Sequence, residues 1–210
     1  MKSKIIYTNS ILIISLVFLS FSVANAQQNK KSEKNNKKQT MENQQGTNDY
    51  HKVVRVSPKA SITETIGLTD VSVSYSRPGV KGRKIWGSLV PYDKVWRAGA
   101  NEATKIIFSS DVWVEGKKLS AGSYSFFVIP KAKAWIVIFN KVADQWGAFE
   151  YNESEDALRL DITPQSRNFI EWLNYSFSDL KVNTHGKNSA VLNLNWEKVR
   201  LPIKIETEVK

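Results

Sequence analysis

Arg97 and Glu102 pose the question of function, because they share the run Trp96-Arg97-Ala98-Gly99-Ala100-Asn101-Glu102, which has neither helical nor strand periodicity. A guanidinium presents a planar fork of N–H donors and holds a carboxylate or phosphate in a fixed plane. Arg77 and Arg83 lie on the same connection. Trp86, Tyr92 and Trp96 offer flat apolar surface beside them, as a sugar ring or an aromatic ligand requires. Asn101 and Glu102 add hydrogen-bonding groups, and Gly99 implies a sharp turn or a close approach of backbone to another group. Two readings stand side by side. The set binds a ligand, or Arg97 and Glu102 pair with each other or with carbonyls and fasten a long loop to the fold.

A second loop, Gln145-Trp146-Gly147, adds Trp146 to the candidate ligand-binding residues. Glu102 is the strongest acid for hydrolysis by paired carboxylates, with Asp93 or Asp156 as its partner, although sequence spacing does not set their separation. The acids Glu153, Glu155 and Asp156 lack the spacing of a calcium loop and read as solvated charge, with Arg159 a local partner for Asp156. His51 falls in a polar segment and His185 in a hairpin turn. One exposed histidine in the domain builds neither a zinc site nor a Ser–His triad. There is no Gly-x-Ser-x-Gly elbow and no phosphate loop. No metal and no cofactor is expected. The chain has no cysteine, so disulfides, thiolate sites and a lipid-modified cysteine are excluded.

Where these residues work is read from the first part of the chain. Lys2 and Lys4 precede an apolar run from Ile11 to Ala24, and Ala24-Asn25-Ala26 supplies a small-x-small cleavage pattern. The run is shorter than the ~20 residues of a membrane span. Residues 1–26 therefore read as a signal peptide cleaved near Ala26, with an uncleaved anchor as the alternative. Residues 27–52 are Gln, Asn, Lys, Ser and Glu almost throughout, a composition that cannot offset the entropy of ordering, and read as a disordered linker. Residues 53–210 are left as one domain. The expected address is extracytoplasmic: periplasmic or secreted, with no lipid anchor and no transmembrane segment after cleavage. Of the net charge of +10, two charges lie in the leader and a net three in the linker, so the domain carries +5. Such a surface suits an anionic polymer, a phosphate-rich outer layer or an acidic partner, or is merely lysine-rich. The partners considered are an anionic polymer, a glycan or an envelope protein. Nucleic acid is not expected, since no recognition module is present.

The elements that must position the candidates are strands. Val71-Ser72-Val73-Ser74-Tyr75-Ser76 alternates at period two and is stopped by Arg77-Pro78-Gly79. Residues 105–109, 111–115, 123–129 and 135–140 follow, separated by short turns that imply hairpins. Phe126 to Ile129 and Trp135 to Phe139 are apolar on both faces and should be central strands covered on each side. A strand is expected around Glu171 to Phe177. Ala190, Leu192, Leu194 and Trp196 form one face of another, with Asn193 and Asn195 between them, and Leu201 to Val209 makes a final strand. A short helix is expected near Ser154 to Leu158. The fold class is mainly β, a single antiparallel β-sandwich. Trp113, Trp135, Trp172 and Trp196 fall on strands and read as packing residues, with an exposed aromatic row for sugar binding as the alternative. Trp86, Trp96 and Trp146 lie in loops and mark functional surface.

Several motifs occur together: Arg77-Pro78, Lys81-Gly82-Arg83, Leu89-Val90-Pro91-Tyr92, the run from Val95 to Thr104, Leu119 to Ser125, Val137 to Lys141, and Gln145-Trp146-Gly147. This ordered set resembles a secreted bacterial, Bacteroidetes-type family known as domain-of-unknown-function family 2911. The resemblance covers about residues 60–201, and the run ending in Glu102-Ala103-Thr104 is its most specific part. Ser120 departs from the pattern, where Pro is expected. The resemblance implies a compact, mostly β, secreted domain and brings no activity or catalytic residue.

The expectation is a non-catalytic extracytoplasmic β-sandwich that binds an anionic or sugar-containing envelope ligand. The alternatives are a carboxylate-dependent hydrolase using Glu102 and a purely structural interaction module.

Overall fold

A computed structural model describes residues 54–209. The leader and linker readings, with His51, lie outside the described residues. The described chain forms ten strands: β1 (Lys59–Ile66), β2 (Thr69–Ser76), β3 (Thr104–Phe108), β4 (Val112–Val114), β5 (Lys117–Leu119), β6 (Gly122–Ile129), β7 (Trp135–Asn140), β8 (Asp156–Ile162), β9 (Gln165–Lys181) and β10 (Gly186–Val209). They build a six-stranded sheet in the order β1-β2-β3-β6-β7-β8 and a four-stranded sheet in the order β5-β4-β10-β9. Every pairing is antiparallel, and the two sheets face each other as a β-sandwich.

Alternation explains which side of each strand is dry. Val71, Val73 and Tyr75 of β2, Ile106 and Phe108 of β3, Phe126 and Val128 of β6, and Val137 and Phe139 of β7 all point inward. They meet Leu173, Tyr175, Leu192, Leu194, Trp196, Leu201, Ile203 and Ile205 of the second sheet in one continuous core. Each such burial contributes about 1.5–3 kcal/mol. The strands expected to be covered on both sides, β6 and β7, are indeed central. Phe127, Ile129 and Ile138 on their outer face form a second small cluster with Ala103, packed against Val95, Ala148 and Tyr151.

Three features of β8 and β10 differ from the sequence expectation. The helix expected near Ser154 to Leu158 is only a 3-10 turn over Glu153–Glu155, capped by Asn152, and Asp156 already starts β8. Residues 190–196 and 201–209 are one strand, β10. Its buried positions switch from even to odd through a bulge where Glu197 takes φ 55°. Asn193 and Asn195, on the outward parity of β10, are only 2 % exposed.

The long connection 77–103 is tied down along its length. Val80 N–H donates to the Glu171 carbonyl at 2.8 Å and Leu173 N–H to the Pro78 carbonyl at 3.0 Å. Trp96 exchanges two backbone hydrogen bonds of 2.8 Å with Val128, and so takes the place beside β6 beyond the end of β3. Its indole stacks on Trp196 with ring centroids 5.8 Å apart, and Trp86 packs against Trp96, Trp135 and Trp196 at 5.7, 4.7 and 5.8 Å. Four tryptophans thus seal one end of the sandwich.

Candidate functional site

A groove of about 680 Å³ runs over the outer face of β1, β2 and β3, within the range of small-ligand sites. Cross-strand register makes its floor. Ser61 opposes Ser74, which opposes Lys105, and Lys59 opposes Ser76. The outward positions here are hydroxyls and lysines with no bulky side chain, so the surface is shallow and rich in hydrogen-bonding groups.

The wall is the segment 143–147, which follows β7. It is anchored from within by Gln145, whose amide nitrogen donates to Val142 O at 2.8 Å and to Ser125 Oγ and Asn140 Oδ1 at 3.2 Å. Two backbone bonds then zip the wall to the long connection: Ala103 N–H to Gln145 O at 3.0 Å and Gly147 N–H to Asn101 O at 3.1 Å. They flank Glu102 and Trp146, which therefore form a non-hydrogen-bonded antiparallel pair. In such a pair the two side chains leave the same face at close range. The Glu102 carboxylate and the Trp146 indole accordingly line one groove, and Trp146 is 58 % exposed.

Glu102 is held ionised. Arg55 Nη1 lies 2.8 Å from both carboxylate oxygens, Lys59 Nζ lies 3.1 Å from Oε1, and Ser76 Oγ donates to Oε2 at 3.5 Å. Desolvation works to raise its pKa, but the hydrogen bonds and charges of Arg55 and Lys59 prevail and bring it from 4.5 to about 2. At neutral pH this group is a hydrogen-bond acceptor and not a proton donor. At the far end of the groove Lys105 Nζ pairs with Asp144 at 2.6 Å. Glu102 is shared by Arg55 and Lys59, and with Glu150 in the lining the acids Glu102, Asp144 and Glu150 balance Arg55, Lys59 and Lys105.

The other expected site residues go elsewhere. Arg77 Nε donates to the Leu173 carbonyl at 2.9 Å, and Arg83 donates to the Gly79 and Val80 carbonyls at 2.6 and 3.1 Å. Arg77 thus fastens the connection to the second sheet, and Arg83 closes a turn within the connection itself. Trp86 and Trp96 belong to the tryptophan cluster, and Trp96 Nε1 donates to Gly99 O. Asn101 Nδ2 donates to Ser57 O at 3.4 Å, while Tyr92 is half-exposed and packs over Gly87, outside the groove. Asp93 and Asp156, the suggested partners of Glu102, do not line the groove either. Asp156 instead binds Arg159 at 2.8 Å and Tyr151 Oη at 2.6 Å.

Arg97 does not pair with Glu102. No ion pair among the described residues includes it, and its Nε is buried without a partner. Burial lowers its pKa. Gly147, at φ 69°, lies directly against it: a Cβ there would meet Arg97 Nη1 at 3.3 Å and Phe149 at 2.9 Å. Arg97 therefore lies against Gly147 of the wall and does not itself line the groove. The expected tight approach at Gly99 is present, since a Cβ there would stand 2.9 Å from Thr104 Oγ1 and 3.1 Å from Ser76 O. Ala98 beside it takes φ 51°, and its carbonyl receives the Tyr175 hydroxyl at 2.9 Å and Thr104 Oγ1 at 3.1 Å. Two donors from different elements hold that strained backbone in place.

Sequence reasoning missed Arg55, Lys59, Ser61, Ser74, Lys105 and Asp144. The signal for β1 was present, since Ala60, Ile62 and Ile66 share a parity that Glu64 interrupts. Among the described residues no group of three or more His, Asp or Glu could hold a metal ion, and no helix is long and apolar enough to cross a membrane. A family model described as protein of unknown function (DUF2911) matches residues 57–205. No curated protein and no solved structure matches the chain.

Proposed function

The chain belongs to the DUF2911 family, and we propose that its groove makes it a non-catalytic binding module for an uncharged sugar chain, acting outside the cytoplasm. The observation that carries this reading is the Glu102–Trp146 pair: an exposed indole beside a fixed, ionised acceptor over a floor of serines. An indole face covers the apolar C–H side of a pyranose, while serine hydroxyls, a carboxylate and lysine ammonium groups meet its hydroxyls. Glu102, Asp144 and Glu150 balance Arg55, Lys59 and Lys105 and leave the groove without net positive charge to attract an anion, which favours the sugar part of the expectation over the anionic part. A carboxyl held at about 2 favours binding over general-acid hydrolysis. Export rests on the leader pattern at residues 1–26.

Retention of the protein on an immobilised panel of neutral and anionic oligosaccharides tests this. A neutral chain is expected to be retained at both low and high salt, because no net charge drives the contact. Absence of retention on every neutral chain contradicts the proposal.

A further inference from the structure

The outer face of the β9–β10 hairpin holds a second cavity, of about 480 Å³, and its chemistry is unlike that of the groove. Every lining residue is Gln, Ser, Asn or Arg: no carboxylate and no apolar side chain contributes. Asn193 and Asn195 lie at its floor, opposite Ser176 and Asn174 of β9, with the hydrophobic Leu192 and Leu194 on the inward parity between and beside them. Outward asparagines on a sheet face are ordinarily wet. These two are 2 % exposed, and burying amides is costly unless they are paired. Asn195 Nδ2 donates to Ser176 Oγ at 3.0 Å and its Oδ1 accepts from Arg167 Nη1. Asn193 Nδ2 donates to Ser178 Oγ at 3.0 Å, but its Oδ1 has no partner.

The two arginines are oriented without being neutralised. Arg167 is held by the Asn195 amide oxygen and by the Asn168 carbonyl, and Arg200 directs Nε and Nη2 to Gln165 Oε1 at 3.1 and 2.5 Å. Neither forms an ion pair among the described residues. A guanidinium aimed by a neutral amide keeps its full charge and its remaining N–H donors for something else. A fastening role like that of Arg77 would end on a backbone carbonyl alone. Here, two whole charges share one polar cavity.

We propose that this cavity is a second binding site, for a hydroxylated oxyanion: a sugar bearing a carboxylate or a phosphate. The charged group lies between Arg167 and Arg200, and the ligand's hydroxyls meet the serines of the lining, above the buried Asn193 and Asn195. The site is independent of the groove, and it takes an anionic ligand that the groove's balanced charges do not attract.

The test is a titration of the protein with glucuronate, glucose 6-phosphate, inorganic phosphate and glucose at low ionic strength, read by NMR on the side-chain amides of Asn193 and Asn195. Saturable shifts with either sugar anion are expected, and the tighter of the two identifies the oxyanion. Glucose alone should leave these amides unmoved. Arg200→Gln should weaken the sugar anion at least about tenfold, whereas Trp146→Ala should not change it. Three results overturn the site: no shift with either sugar anion, inorganic phosphate binding as tightly as the sugar anions, or unchanged affinity in Arg200→Gln. Should Arg200→Gln not fold, the shifts in the unmodified protein decide alone.

Discussion

Arg55 Nη1 stands 2.8 Å from both carboxylate oxygens of Glu102, so the acid is gripped from the chain just before β1 and not by Arg97 of its own loop. The consequence is a division of labour. Glu102 faces the groove with its charge fixed, while Arg97 supports the wall from the other side of Gly147.

Acid stability follows from the Glu102 pair. Its pKa is depressed from 4.5 to about 2 on folding, so the unfolded chain binds the proton more tightly. The contribution is present above about pH 4.5 and is lost as pH falls toward 2. With the side chain 35 % exposed, screening keeps it below about 1 kcal/mol. In urea unfolding, Glu102→Gln should flatten the stability curve across that window. An unchanged slope would show that Arg55 and Lys59 do not hold the acid in solution.

Replacing Arg97 by Met should leave the urea midpoint unchanged or slightly higher. It keeps a long apolar stem while removing a half-buried charge whose Nε has no partner, a group whose burial costs about 1–3 kcal/mol. A loss above about 2 kcal/mol would mean that the guanidinium holds a structural partner after all.

Gly99→Ala should be among the more damaging changes in the connection. The added carbon meets Thr104 Oγ1 at 2.9 Å and the Ser76 carbonyl at 3.1 Å, and backbone cannot yield cheaply. A loss of about 1–3 kcal/mol is expected by thermal unfolding. A neutral outcome would show that the loop is not pressed against the end of β2.

The Tyr175 hydroxyl donates to Ala98 O across the core, and burial raises its pKa well above the ordinary range. Tyr175→Phe should cost about 1 kcal/mol, since Thr104 Oγ1 still serves the same carbonyl. A double-mutant cycle with Thr104→Val should show coupling above about 0.5 kcal/mol, because both donors share one acceptor. Strict additivity would rule out that shared restraint.

Much of the sandwich was legible as alternation. The Val71–Ser76 pattern, the doubly apolar β6 and β7, and the turns between them all lie where period two and Gly or Pro punctuation put them. The parity switch between Trp196 and Leu201 was visible too, but it reads as a strand break when the chain instead continues through shifted register about Glu197. The site was legible in part. Glu102 and Trp146 came out of residue type and loop position, yet their meeting depends on a two-bond ladder between segments far apart in sequence. No local pattern encodes that. Loop arginines and tryptophans carried the same sequence signal whether they faced a cavity or, like Arg83 and Trp86, closed the fold on itself.

The central claim rests on Trp146, and calorimetric titration of neutral oligosaccharides into the wild type and Trp146→Ala tests it most directly. The account predicts saturable binding to the wild type and at least about a tenfold loss of affinity in the variant, with an unchanged melting temperature. Equal affinity in both proteins, or no binding of any neutral sugar chain to the wild type, would contradict it.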